Sequence, residues 1–137
     1  MRILGLDLGS VTLGVSVSDV TAFIARPVET LRFESDNYDR ALELVKPYIE
    51  EFQIQTVVLG LPRHMNGDIG IRGNISLDFK EKLETLGVEV VLWDERLTTV
   101  AANRMLIAAD VKRKKRKKII DQMASVQILQ SYLDSRS

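Results

Sequence analysis

The chain has 137 residues, 45% of them apolar and 6% aromatic, with no cysteine and with 19 basic side chains balanced by 19 acidic ones. That length suits one domain, residues 1–137, around a core of Val, Ile, Leu and Ala. The missing cysteines exclude disulfides and thiolate metal sites and fit a reducing, cytoplasmic setting, and no stretch approaches the roughly 20 apolar residues of a membrane helix.

In chain order, Arg2–Leu8 is rich in Ile and Leu and reads as a buried central strand. Gly9-Ser10 turns the chain, and Thr12–Ser18 alternates as the next strand. Asp19–Thr21 turns it again into Ala25–Phe33, where Pro27 points to an edge strand. Ser35 or Asp36 is placed to cap a helix carrying Leu42, Val45, Ile49 and Phe52 at helical spacing, with Pro47 expected to kink or shorten it. Gln55–Leu61 is a continuous apolar strand, buried on both faces if parallel to the first. Pro62 ends it and Asn66-Gly67-Asp68 marks a loop. Ile75, Phe79, Leu83 and Leu86 form a second helical stripe, stopped by Gly87, and Val88–Trp93 is a fifth strand. A third helix is expected from Thr98 or Thr99 to about Ala109, and a fourth over Ile119–Leu133. The order β-β-β-α-β-α-β-α-α implies an α/β fold: a mixed five-stranded sheet, three antiparallel strands first, flanked by helices on both faces.

Three carboxylate positions stand out. Asp7 lies inside the most apolar strand, where an unpaired charge is expensive to bury, with Gly5 and Gly9 leaving room for close approach. Asp94-Glu95 follow directly on the fifth strand, at the strand ends where ligands gather in parallel sheets, and alternation aims at most one of the pair at such a site. Asp121 shares a helix face with Ala124, Ser125 and Ile128. Each has an ordinary reading as a turn, ion-pair or helix-start residue. Together they make an oxygen-only donor set suited to Mg²⁺ or Mn²⁺, and the single histidine, His64, argues against a zinc cage. Two such ions about 3.5–4 Å apart activate a water and stabilise the leaving oxygen of a phosphodiester.

Four segments carry a resemblance. Gly5-Leu6-Asp7-Leu8-Gly9-Ser10 with the strand that follows, Val57–Gly67 with its Gly60-Leu61-Pro62 loop, Trp93-Asp94-Glu95-Arg96-Leu97-Thr98-Thr99, and Ile120–Leu133 resemble, in order and spacing, the motifs of the YqgF/RuvX family. The resemblance spans nearly the whole chain. It implies an RNase H-like fold and a nuclease described in two ways: as a Holliday junction resolvase, by likeness to RuvC, and as an enzyme acting on the 5′ end of precursor 16S rRNA. Carried over by motif, it implies that Asp7, Glu95 and Asp121 are catalytic and hold the metal, with Asp94 as the alternative next to Glu95.

Lys112, Arg113, Lys114, Lys115, Arg116, Lys117 and Lys118 concentrate seven of the nineteen positive charges, leaving twelve basic against nineteen acidic residues elsewhere. Such a run is expected as a solvated loop or helix entrance that neutralises phosphates of precursor rRNA or branched DNA. Arg63, Arg72 and Arg96 are secondary candidates for phosphate contacts, each also readable as a structural arginine. Trp93 reads as core, and Ser10 and Thr12 as turn residues as readily as site hydroxyls. Two other functions compete with the nuclease: a nucleotide-binding ATPase, for which the Asp-x-Gly-Ser hairpin speaks but no second phosphate motif is present, and a nucleic-acid binding module without activity. A resolvase cutting two strands symmetrically works as a homodimer, whereas an rRNA-processing enzyme can act as a monomer.

Overall fold

The computed structural model describes residues 1–96 and 113–136, with the side chains of the last helix described from Met123 onward. Five strands form one sheet: β1 (Ile3–Leu8), β2 (Thr12–Ser18), β3 (Ala25–Arg32), β4 (Thr56–Leu61) and β5 (Glu89–Asp94). Their spatial order is β3-β2-β1-β4-β5. The first three pair antiparallel, and β1–β4 and β4–β5 pair parallel. The mixed sheet with three antiparallel strands first is therefore as the sequence implied. β3 lies at one end of the order, where Pro27 removes no interior ladder bond, and the pairing of β2 with β3 slips by one residue there, between Val15 and Ser16.

Period-two alternation sends β1 and β2 in two directions. Leu4, Leu6, Leu8, Leu13, Val15 and Val17 join Val57, Leu59 and Val90 in the larger core cluster. Two helices cover this face: α1 (Tyr38–Glu51), through Ala41, Val45 and Ile49, and α2 (Ile71–Glu84), through Phe79 and Leu83. The opposite face carries Ile3 and Val58 beneath α3 (Arg113–Ser135), which contributes Ile128, Leu129 and Leu133. Helices thus flank both faces. No helix among the described residues is long and apolar enough to cross a membrane.

Several local expectations are corrected. α1 is capped by Asn37, whose side chain accepts from the Arg40 N–H at 3.1 Å, not by Ser35 or Asp36; Asp36 instead takes a left-handed turn at φ 60°. Pro47 does not shorten α1, because Val45 and Ile49, both buried, anchor the helix on either side of it. Phe52 follows the last helical residue rather than belonging to the helix. The last helix starts at Arg113, six residues before the expected Ile119, so the backbone of the basic run is a helix entrance and not a loop. The helix expected from Thr98 or Thr99 to Ala109 lies outside the described residues, as does Lys112.

Candidate active site

A single row across the sheet sets the site. Asp7 pairs with Gly14 on β2. On its other side, β1 and β4 run in register to Leu6–Leu59, so the next step brings Asp7 level with Gly60, and Gly60 in turn pairs with Trp93. Asp7 is therefore flanked by two glycines, on the face that α3 covers. A Cβ on Gly14 would lie 3.5 Å from Ser125 Oγ and 3.6 Å from the Asp7 Cβ, and one on Gly5 would lie 2.7 Å from the Leu129 Cβ. Small residues in the strands let α3 approach closely. Ser16, on the same face, donates from Oγ to the Ser125 carbonyl at 2.8 Å and ties the buried helix backbone to β2.

Glu95 enters the row from β5. Its N–H donates to the Leu61 carbonyl at 3.3 Å, extending the β4–β5 pairing by one step. Its carboxyl lies over Gly60: a Cβ there would stand 2.6 Å from Oε1 and 2.7 Å from Ile128 Cδ1. Burial, a hydrogen bond with Asp7 and the Asp7 charge push the Glu95 carboxyl up to about 9, with Arg72 acting in the opposite sense. Without a cation, Glu95 thus keeps its proton near neutral pH and donates it to Asp7.

Asp94 is engaged elsewhere. It accepts from Arg96 Nη2 at 2.7 Å, from Arg96 Nε at 2.9 Å and from the Arg96 backbone N–H at 3.0 Å, with Arg63 Nε 3.9 Å away. The Arg96 contacts hold its carboxyl below the usual range. Of the adjacent pair left open by the sequence, Glu95 meets Asp7 and Asp94 binds arginine. Asp121 lies in α3 one turn before Ser125. Since Leu129 lies over Gly5 and Ser125 beside Gly14, α3 runs toward the Asp7 end as it is followed back, and Asp121 belongs to the next turn. Its side chain, like those of Arg113, Lys114, Lys115, Arg116, Lys117 and Lys118, lies outside the described residues. Among the described residues, no group of three or more His, Asp or Glu side chains forms a ready metal cage.

The secondary candidates have structural partners. Arg63 donates to the Gly67 carbonyl at 3.1 Å. Arg72 donates from Nη1 to Tyr38 Oη and from Nη2 to the Leu8 carbonyl, each at 3.2 Å. His64 packs against Gly70 at the start of α2. Trp93, half-buried, packs against the smaller core cluster as a structural residue, donating from Nε1 to Ser131 Oγ at 3.1 Å and meeting Tyr132 edge-on. The Thr12 carbonyl accepts from the Gly9 N–H at 2.7 Å, and the Ser10 carbonyl from the Asp36 N–H at 2.8 Å, both within turn structure. Sequence reasoning read Ser125 as a small neighbour of Asp121 but missed Gly14 and Gly60 as the residues that make room for the carboxyl pair. Their signal was present as a glycine inside each of two strands, β2 and β4.

A mixed 3-2-1-4-5 sheet with an acidic pair at the β1 and β5 ends defines an RNase H-like fold of the resolvase type. T. thermophilus RuvC, solved in complex with a Holliday junction substrate, superposes with a TM-score of 0.66 at 16% identity over 99% of this chain and 95% of that one. The fowlpox virus Holliday junction resolvase gives 0.59 at 14% identity, with both chains fully covered. The family model RuvX, described as Holliday junction resolvase, matches residues 1–135, and the chain belongs to that family. A relative from Bacillus subtilis (strain 168), which carries the name "Putative pre-16S rRNA nuclease", is 54% identical over 98% of this chain and 99% of its own.

Proposed function

We propose that this chain is a divalent-metal-dependent endonuclease that cleaves phosphodiesters in structured RNA at the 5′ end of precursor 16S rRNA. The observation that carries this reading is the half-buried Asp7–Glu95 pair above Gly60. Two carboxyls held together and partly screened from water need either a shared proton or a cation, and an oxygen-only donor set suits Mg²⁺ or Mn²⁺. The residues therefore fit the ion that the family implies. Asp7 and Glu95 would hold it, joined by Asp121 from α3, while Asp94 stays with Arg96. Bound there, the metal supplies an activated water and neutralises charge on the leaving oxygen. To hold an ion there, Glu95 would have to be ionised. The glycines beside Asp7 make the room that lets Glu95 and α3 close on it.

The run from Lys112 to Lys118 leads into the helix that carries Asp121, and it suits backbone phosphates rather than bases. If about five of these charges meet duplex phosphates, log affinity falls against log salt with a slope near −4.5. Junction cleavage is the second reading, favoured by the family description and by the likeness to RuvC, and it calls for a homodimer where rRNA processing needs only a monomer. A cytoplasmic location follows from an rRNA substrate.

The decisive experiment incubates pure protein, and its Asp7→Asn form, with precursor 16S RNA and with a four-way DNA junction in Mg²⁺ and Mn²⁺. Cleavage of the RNA by wild type, with a loss in the mutant larger than the about 100-fold typical of disturbing a metal's outer partners, is the expected result. Undiminished cutting by folded Asp7→Asn, or cutting of the junction alone, refutes it.

A further inference from the structure

The β1–β2 turn that follows Asp7 is braced by the chain that leaves β3 and by α2. The Val11 carbonyl accepts from Phe33 N–H at 3.0 Å and the Ser10 carbonyl from Asp36 N–H at 2.8 Å. The Leu8 carbonyl, one residue past Asp7, accepts from Arg72 Nη2 at 3.2 Å. The same guanidinium donates from Nη1 to Tyr38 Oη at 3.2 Å, and Tyr38 donates onward to Asp36 Oδ1 at 2.9 Å. One chain of hydrogen bonds thus links the end of β1, the first turn of α2, the start of α1 and the hairpin turn. β4 pairs with β1 only as far as Leu6–Leu59, so on that side Leu8 lies beyond the parallel ladder, and its strand partner is Leu13 of β2 alone.

Arg72 is itself held in place. Gly73, next to it, is pressed against the end of β4, where a Cβ would come within 2.9 Å of the Pro62 carbonyl. Arg72 is half-buried, and both terminal nitrogens of its fork point at protein acceptors. A residue serving substrate phosphate would hold those donors toward solvent.

We propose that Arg72 is a positioning residue: through Leu8 and Tyr38 it fixes the end of β1 so that Asp7 meets the metal in a set geometry. The inference rests on the metal-site reading above. Its planar fork spans two acceptors at once, which a lysine ammonium on a flexible stem does not reproduce.

The test is Mn²⁺ binding by titration calorimetry on the metal-free full chain, alongside KM for the cleaved nucleic acid and the thermal midpoint. Arg72→Lys weakens Mn²⁺ binding about 10- to 100-fold, the range for outer partners of metal ligands, with KM unchanged. Tyr38→Phe, which removes one of the two acceptors and keeps the packing ring, weakens it by a smaller factor in the same direction. Since Tyr38→Phe leaves the arginine in place, it tests the relay even if Arg72→Lys folds poorly. Wild-type Mn²⁺ affinity in both variants overturns the proposal. So does a raised KM with a salt slope smaller by about one, which marks Arg72 as a phosphate contact. A wild-type protein that cleaves and binds Mn²⁺, beside variants unchanged in affinity, sinks the positioning role alone; a wild type that takes up no Mn²⁺ sinks the metal-site reading and this role with it.

Discussion

The two faces of the sheet are built from the same strands to opposite ends. Toward α1 and α2, β1, β2 and β4 present Leu4, Leu6, Leu13, Val15, Val57 and Leu59, all fully or almost fully buried. Toward α3, the residues between them are Gly5, Asp7, Gly14, Ser16, Val58 and Gly60. One face is filled by apolar volume. The other gives up volume so that a helix and a glutamate come within contact of the backbone. Apolar packing and the carboxyl pair are thus separated by a step of one residue along each strand.

Neighbouring residues on β4 break that comparison most directly. Leu59→Ala opens a cavity in the apolar face and should cost about 2–5 kcal/mol of stability, read by denaturant unfolding, while cleavage per folded molecule at low temperature stays near wild type. Gly60→Ala is next in size. It drives a methyl into the Glu95 carboxyl and Ile128, and should cost about 1–3 kcal/mol by overpacking. Unlike Leu59→Ala, it should also lower cleavage and Mn²⁺ binding at temperatures where the protein is fully folded. Equal behaviour of the two variants would mean that the faces are not specialised.

The pH dependence of the metal-free protein sharpens the comparison from the Glu95 side. Glu95 is pushed up to about 9 in the folded chain from an ordinary 4.5. Between those values the folded form holds a proton that the unfolded form has lost, so stability falls as pH rises from about 5 to 9. Asp94, whose carboxyl is depressed, loses its contribution only as pH falls below the ordinary 3.8, outside that window. The thermal midpoint without divalent ions should therefore decline across this range, and Glu95→Gln should flatten the decline. Because the ion competes with the proton, stabilisation by Mg²⁺ should grow with pH. A flat wild-type profile would place Glu95 in water and away from Asp7.

Much of this was legible in the chain. Alternation in Thr12–Ser18 and the continuous apolar run over Gln55–Leu61 gave a half-small and a fully buried strand, and Pro27 marked the end of the sheet. Asp7 was conspicuous because a carboxylate in so apolar a strand demands a partner. Other features depended on tertiary context. Pro47 costs α1 a backbone bond, yet packing on either side of it keeps the helix intact. Repulsion among neighbouring cations costs only tenths of a kcal/mol per pair, and Lys and Arg are good helix formers, so the basic run continues α3. The choice between Asp94 and Glu95 turned on how far β5 extends: the strand runs through Asp94, so Trp93 and Glu95 fall on the α3 side. Nothing local marked Arg72 as a brace, because its acceptors, Leu8 and Tyr38, are 64 and 34 residues away in sequence.

The chain has one tryptophan, and it sits two positions from Glu95. The indole of Trp93 is bound to Ser131 of α3 and packed edge-on to Tyr132, ring centres 5.6 Å apart. Its emission therefore reports how α3 seats on the sheet beside the acidic pair, giving the protein a built-in optical gauge of helix lifting that needs no label.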